Sequence, residues 1–296
     1  MFDAAPSLSP LPLTQTAEYA RAMAAFGQMV ETVPFADRGY GVMQSRYVPL
    51  LGWTGLVSRG PVWTAGSTVS ALKDGLSRVG HRVLINAEPG QEHLLERAGL
   101  LQIMTPATVA ELDLAAGPDA MRAAMHQKWR NRLRRAERSA VQVTSRAMIA
   151  DSQNWIIKAE KAQRKARRYR GLPPEFALAY AQANPQMARL FEARHKGKVI
   201  AGMLFLLHGA RATYFIGHSL PDGRVWNAHN LLLAKAAQTL SQSGVATLDL
   251  GLVDTVNAPG LARFKLGSGA RAQRLGGTWL YQRTLSSLIM PSVRRG

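Results

Sequence analysis

The 296-residue chain is 47% hydrophobic and 19% charged, a balance that marks globular domains rather than disordered ones, and its length accommodates one large domain or two ordinary ones. It contains no cysteine, which excludes disulfides, thiolate metal sites and a cysteine nucleophile. The formal net charge is +18, and residues 121–170 hold 15 Lys and Arg against three acids, a local +12 that selects a polyanionic or carboxylate-bearing partner.

Residues 1–14, rich in Pro and Ser, read as a loose arm. The first residues lack a basic stretch followed by a long apolar core, and the longest apolar run, Val199 to Leu207, is about half a membrane span, so a soluble, cytoplasmic protein without stable membrane insertion is expected. The apolar segment Leu285–Arg295, with its two arginines, leaves a peripheral membrane contact open. Thr16–Val30 has helical apolar spacing, Tyr40–Leu51 and Gly55–Thr64 carry strand-like runs broken by glycine, and Ser67–Val79 reads as a helix with Ser67 as its N-cap. Arg82–Asn86 is a short strand, Glu92–Ala98 a helix ended by Gly99, and Leu100–Met104 a further strand.

Asp119–Ala140 reads as one long basic helix, because Met121, Met125, Trp129 and Leu133 recur every four residues and Ala136 and Ala140 extend the stripe. Trp129 on that stripe is a core residue or a base-stacking platform. Asn154–Arg170 is a second basic helix, stopped by Gly171-Leu-Pro-Pro174, with Tyr169 as another stacking ring near its end. Beyond it come a strand at Ala188–Arg194, a turn at 196–198, strands at Val199–Leu207 and Ala212–His218, a helix at Trp226–Ser243, a strand at Val245–Leu250, a short helix at Pro259–Leu266 and a final strand at Arg274–Arg283. The second half thus runs strand, strand, strand, helix, strand, helix, strand. The first half gives a degraded version of the same order.

Three segments carry a resemblance: Lys128-Trp-Arg-Asn-Arg-Leu-Arg-Arg-Ala-Glu137, Leu248-Asp-Leu-Gly251, and Asn257-Ala-Pro-Gly-Leu-Ala-Arg-Phe-Lys-Leu-Gly267. With that element order, the chain resembles the GNAT acyltransferase superfamily over roughly residues 15–284, and within it the Fem-type branch, which carries two GNAT-like units. The fold this implies is α/β (α+β), two tandem units each with a mixed, mostly antiparallel sheet flanked by helices: a degenerate unit at 15–140 ending in the basic helix, and one at 141–296 carrying the active site. The resemblance implies an acyltransferase that moves an aminoacyl group from aminoacyl-tRNA to a primary amine on a small molecule or peptide. It also implies a lysine, matched by Lys265, that stabilises charge beside an aromatic residue, matched by Phe264. Acetyl-CoA-binding relatives hold the pyrophosphate on a glycine-rich loop before the long helix. The stretch 222–230 keeps a single glycine, which disfavours acyl-CoA as donor. No resident cofactor is expected, only the donor as co-substrate.

Amide formation from an activated ester needs a neutral amine, an oxyanion stabiliser and a route for one proton. Lys265 supplies a cation. Asp249 and Asp254 flank the Gly251 strand end, where a carboxylate is placed to orient or deprotonate the amine; Asp254 alternatively satisfies loop N–H groups. His229 is a proton acceptor or a helix-start hydrogen-bonder. Phe264, Arg263, Trp226, Asn227 and Tyr214 are candidates for substrate binding. Lys128, Arg130, Arg132, Arg134 and Arg135 on the first basic helix, and Arg164, Lys165, Arg167 and Arg168 on the second, are candidates for holding a tRNA or another polyanionic donor. No metal is expected, since Glu88, Glu92 and His93 are too loosely spaced to form a site. The alternatives are an acyl-CoA-dependent N-acetyltransferase and a non-catalytic module that binds RNA or an anionic membrane through residues 121–170.

Overall fold

A computed structural model describes residues 11–168 and 171–282. A 3₁₀ turn at Leu13–Gln15 opens the described chain, and it is anchored: Gln15 is buried, its side chain exchanging hydrogen bonds with Val42 and donating to the Ser58 carbonyl. Residues 12–15 are thus packed rather than loose, and the rest of the expected arm, 1–10, lies outside the described residues. Helix α1 (Ala17–Ala25) is capped by Thr16, whose hydroxyl accepts from the Tyr19 N–H. It ends well before Val30, because Gly27 turns the chain at φ +74° and a β-branched run follows. That run is strand β1 (Met29–Pro34), followed by β2 (Gly39–Val48), β3 (Gly52–Ser58) and the short β4 (Val62–Trp63). Helix α2 (Val69–Ser77) is capped by Thr68 rather than Ser67. It presses on the end of β1 so closely that a Cβ on Gly75 would lie 2.6 Å from the Pro34 carbonyl. Strand β5 (Arg82–Asn86), helix α3 (Glu92–Arg97) and β6 (Leu101–Met104) complete the first stretch.

Strand β7 (Thr108–Asp113), which the sequence reading lacked, leads into two helices where one was expected. Helix α4 (Gly117–Ala124) stops at Met125, whose backbone is extended, and α5 (Gln127–Glu137) begins anew with His126 as its cap. The His126 N–H binds the Gly267 carbonyl and its Nδ1 accepts from the Lys128 N–H, contacts that the apolar spacing does not encode. The edge strand β8 (Gln142–Ala147) follows, then α6 (Trp155–Arg167), capped by Asn154, and α7 (Phe176–Ala183). Arg168 ends α6 in the left-handed region, and Tyr169 and Arg170 lie outside the described residues. Next come β9 (Ala188–His195), β10 (Lys198–His208), β11 (Arg211–Ser219), the single-turn α8 (Pro221–Val225), α9 (Ala228–Gln242), β12 (Thr247–Leu252) and α10 (Pro259–Gly267). The expected last strand is two, β13 (Arg271–Arg274) and β14 (Thr278–Tyr281), split at Gly276-Gly277, where Gly277 has φ +84°. Arg283 and Leu285–Arg295 lie outside the described residues.

Each unit holds a seven-stranded mixed sheet, one ordered β1-β2-β3-β5-β14-β6 with β4 beside β2, the other β13-β7-β12-β11-β10-β9-β8. Both repeat one path. Three antiparallel strands are followed by a strand parallel to the third, β5 beside β3 and β12 beside β11. An antiparallel strand from outside that run then extends the sheet, β14 against β5 and β7 against β12, with β6 and β13 at the edges. The division falls at Ala107/Thr108 rather than at 140/141, and the residues from Arg274 return to the first unit. The reason is pairing and packing: β7 belongs to the ladder of β12, and α5 lies on α9. The core of the first unit gathers Phe35, Met43, Leu72, Ile85 and Trp279. That of the second gathers Leu133, Phe191, Phe205, Leu232 and Leu248.

Candidate active site

The site is built where β12 ends and α10 begins. Between Asp249 and Gly251 the ladder with β7 slips by a residue, and Gly251 takes φ +76°, a conformation a side chain disfavours. Asp249 stabilises the irregularity. It is buried, one carboxylate oxygen accepts from the Gly251 N–H at 2.7 Å, and the other lies 3.5 Å from Arg211. Arg211, itself buried on β11, also pairs with Glu111 on β7. Asp249 is thus part of an ion network joining three strands. Substituting Arg211 by methionine leaves two inward-facing carboxylates without their cation and is expected to cost about 3–5 kcal/mol. A urea midpoint unchanged from the wild type would refute this structural role.

Asp254 sits in the exposed turn after β12. It accepts from the N–H groups of Val256 and Asn257 and from the Asn257 side chain, and these bonds, the side-chain one first, hold its carboxyl below the usual range. It does the work of a turn residue.

Lys265 lies on the inner side of α10, 5% exposed, and its ammonium donates to the Leu252 carbonyl at 2.7 Å. Burial pushes it down to about 8, with the charge of Asp249 acting in the opposite direction. The next residue back, Phe264, turns to the other side. Its ring lies 6.0 Å from Trp129 of α5 and 6.0 Å from His229 of α9. Burial holds His229 below its ordinary value, against a hydrogen bond to the His218 backbone, and its Nε2 is sequestered without a partner. Trp129 Nε1 and Asn230 Nδ2 are likewise buried and unpartnered.

In front of Phe264 opens a cleft of about 980 Å³ whose walls are α5, through Lys128, Trp129 and Arg132, and α10, through Arg263, Phe264 and Pro259. A second concavity of about 610 Å³ shares Arg132 and is lined by Arg134, Arg135, Arg138 and Asn227. Asn227, at φ +52°, ushers in α9, so the orphan N–H groups of that helix start beside these arginines. Lys265 is absent from both linings: it stands behind Phe264 at the strand end.

Several candidates lie elsewhere. Trp226 stacks on His195 at 4.6 Å, and Tyr214 packs on Phe205 at 5.7 Å. Arg130 is half-buried on α5 and lines neither concavity. Arg164 donates to the carbonyls of Gly171 and Leu172, stopping its own helix, while Lys165, Arg167 and Arg168 are exposed on α6, which packs on β11. The second basic helix therefore does not line the α5–α10 cleft. His126, Arg138, Arg211 and Glu111 are participants that the sequence reading missed. The first two lie inside the expected helix 119–140 and flank the observed α5, and no pattern marks the others, whose partners come from distant strands.

A model of the acetyltransferase (GNAT) domain matches residues 123–266. No curated protein matches the chain in sequence. Among solved structures, FemX is similar at a TM-score of 0.78 and 14% identity, covering 96% of each chain. The C-terminal domain of an Agrobacterium fabrum protein named as a lysylphosphatidylglycerol synthetase is similar at 0.57 and 14%, covering 94% of this chain and 92% of that one. L-PGS from Bacillus licheniformis is similar at 0.57 and 15%, covering 91% and 90%. The matched span begins within α4 and closes on α10, so it encloses the cleft and the Phe264–Lys265 pair. Residues 123–266 thus match the acetyltransferase (GNAT) domain, in a chain that shares the fold of FemX.

Proposed function

We propose that the protein transfers an aminoacyl group from an aminoacyl-tRNA to a primary amine of a small molecule or peptide, forming an amide. One observation carries the reading. The cationic face of α5 lines two concavities that share Arg132, and the wall opposite is the helix bearing Phe264. In this proposal Lys128, Arg132, Arg134 and Arg135 take the phosphates of the carrier, and the N–H groups opening α9 take one more. Gly223 favours this donor over acyl-CoA. It serves packing, since a Cβ there would lie 2.4 Å from the Ile200 carbonyl, and no further glycine precedes α9 in 222–230 to build a pyrophosphate nest.

The amine attacks the ester carbonyl: a C–N bond forms, the C–O bond to the carrier breaks, and the surplus amine proton passes to the departing hydroxyl, while His229, its Nε2 sequestered, supports the Phe264 ring. Lys265, buried behind Phe264 and outside both linings, acts through space: its positive charge stabilises the charge developing on the carbonyl oxygen while its ammonium stays bonded to Leu252. Phe264 shapes the acyl pocket, and Arg263 at its rim meets the acceptor. Asp249 and Asp254 take no part in the chemistry, being engaged in the bulge and the turn.

The test offers charged tRNA and acyl-CoA side by side, each with a pool of amines, and follows the product by mass. Transfer from charged tRNA alone is expected. Transfer from acyl-CoA alone rejects the carrier and keeps the reaction class. Loss of nucleic-acid binding in Arg132→Ala/Arg134→Ala/Arg135→Ala, with no transfer from either donor, leaves a binding module.

A further inference from the structure

The hairpin joining β2 and β3 ends in Pro49-Leu50-Leu51, where two local rules are broken at once. The side chain of Leu50 is fully exposed, at 103% of its reference area, and its φ of +67° lies in the left-handed region, which glycine or asparagine occupies far more readily than a branched aliphatic residue. The positive φ serves the turn that the Leu51 N–H closes onto the Val48 carbonyl, but glycine or asparagine would serve it without strain, so the exposed leucine at this position is the feature that the fold does not explain. Leu51 beside it is exposed as well. Tyr47 and Trp53 face each other across the strands, meet edge to face at 6.1 Å, and are 64% and 45% exposed. Met29, first residue of β1 and paired with Ser45, adds another exposed apolar side chain at the same end of the sheet.

The tip and the α2–β5 turn beside it carry positive charge only, with Asp74 of α2 and Glu31 of β1 lying beyond them. Residues 39–58 and 77–86 contain no acid, only Arg46, Arg78 and Arg82 with His81. Arg82 pairs with Thr54 on β3, and a groove of about 380 Å³ lies between Leu51 and Trp53 on one side and His81, Arg82 and Tyr281 on the other. Protruding leucines, flanking aromatic rings with polar edges and acid-free basic neighbours are the combination that an anionic bilayer surface accommodates, since a fluid surface needs no complementary pocket. Among the described residues no helix is long and apolar enough to cross a membrane, so attachment here is superficial.

We propose that the β2–β3 tip docks on an anionic lipid bilayer. Leu50 and Leu51 enter the boundary between headgroups and acyl chains, Tyr47 and Trp53 lie at headgroup level, and Arg46 and Arg82 face lipid phosphates. The proposal rests on the first unit alone and stands whether or not the transfer reaction above is correct.

The test is co-sedimentation of the full chain with vesicles of phosphatidylglycerol and phosphatidylcholine, set against phosphatidylcholine alone. It is run in the Arg132→Ala/Arg134→Ala/Arg135→Ala background, so that the basic helix does not supply the binding. Leu50→Asn suits the left-handed backbone and is expected to keep or raise the thermal midpoint while weakening partition about tenfold or more. Vesicles are expected to shift tryptophan emission to the blue, and Trp53→Phe to remove most of that shift. Equal partition of Leu50→Asn and its parent overturns the proposal. So does binding that disappears entirely in the arginine background. If Leu50→Asn converts a dimer to a monomer without altering vesicle binding, a second copy of the chain is the occupant and the lipid proposal fails.

Discussion

In the proposed reaction, Lys265→Met is expected to lower the transfer rate by about tenfold to a hundredfold, less than the cost of about a hundredfold to a thousandfold for deleting a donor in contact with the oxyanion, because Lys265 lies behind Phe264. The same substitution has a second, independent signature in stability. The folded protein holds the Lys265 proton less tightly than the unfolded chain, with a value of about 8 against an ordinary 10.5. Below about 8 both states carry the proton and the folded state bears the whole cost of a buried ammonium, about 3 kcal/mol. Between about 8 and 10.5 the unfolded chain binds more protons, so this group makes stability rise with pH. The difference between wild type and Lys265→Met is therefore expected to grow in favour of the wild type across that window and to level off above it. The level at neutral pH is less informative, because methionine also strands the Leu252 carbonyl, at a cost of about 1–3 kcal/mol. Transfer runs opposite to stability: the cation is the working form, so the rate is expected to fall as pH rises through about 8. Denaturation midpoints and single-turnover rates over the same pH series check both signs. A stability difference independent of pH would mean that Lys265 titrates as though it were in water.

Donor binding is expected to follow α5 and ignore α6. Arg132→Ala/Arg134→Ala/Arg135→Ala removes three cations from the walls of the two concavities. Each phosphate that is no longer neutralised reduces the log–log salt slope by about 0.7 on single strands or about 0.9 on duplex, so a fall of about two to three is expected, with affinity for charged tRNA lower by roughly tenfold or more across tRNA species. The matching triple, Lys165→Ala/Arg167→Ala/Arg168→Ala, removes as much charge from the exposed end of α6 and is expected to leave the slope nearly unchanged. Filter binding over a salt series measures both. Equal slopes for the two triples would show that the protein acts as a diffuse cation rather than through a cleft.

What could be seen in the sequence followed from how completely an element is buried. Strands β10 and β11 were legible because each carries a long apolar run into the core, and Gly197 marks the turn before β10. Strand β8 was not, because it is the sheet's edge and no residue of it is fully buried, so neither alternation nor an apolar run was available. The break between α4 and α5 was hidden by a four-residue spacing that continues straight through it, since the spacing reports which residues face inward and not where the backbone hydrogen bonds stop. The Phe264–Lys265 pair was visible through motif resemblance, whereas the setting of Lys265 was not: its bond to Leu252 and the Asp249–Arg211–Glu111 network join residues that only strand pairing brings together. Asp249 and Asp254 looked alike in the chain, and burial alone separates an ion-network carboxylate from a turn carboxylate.

The position of β14 bears on biosynthesis. The first sheet has a gap between β5 and β6 that only residues 278–281 fill. A ribosome delivers those residues after the entire GNAT domain, so the amino-terminal unit waits, with two strand edges open, while the domain that follows it is already able to fold. The usual order of co-translational maturation is reversed here. The half made first is the half finished last, and a nascent chain stalled before Thr278 presents chaperones with a completed catalytic domain behind an unclosed leading one.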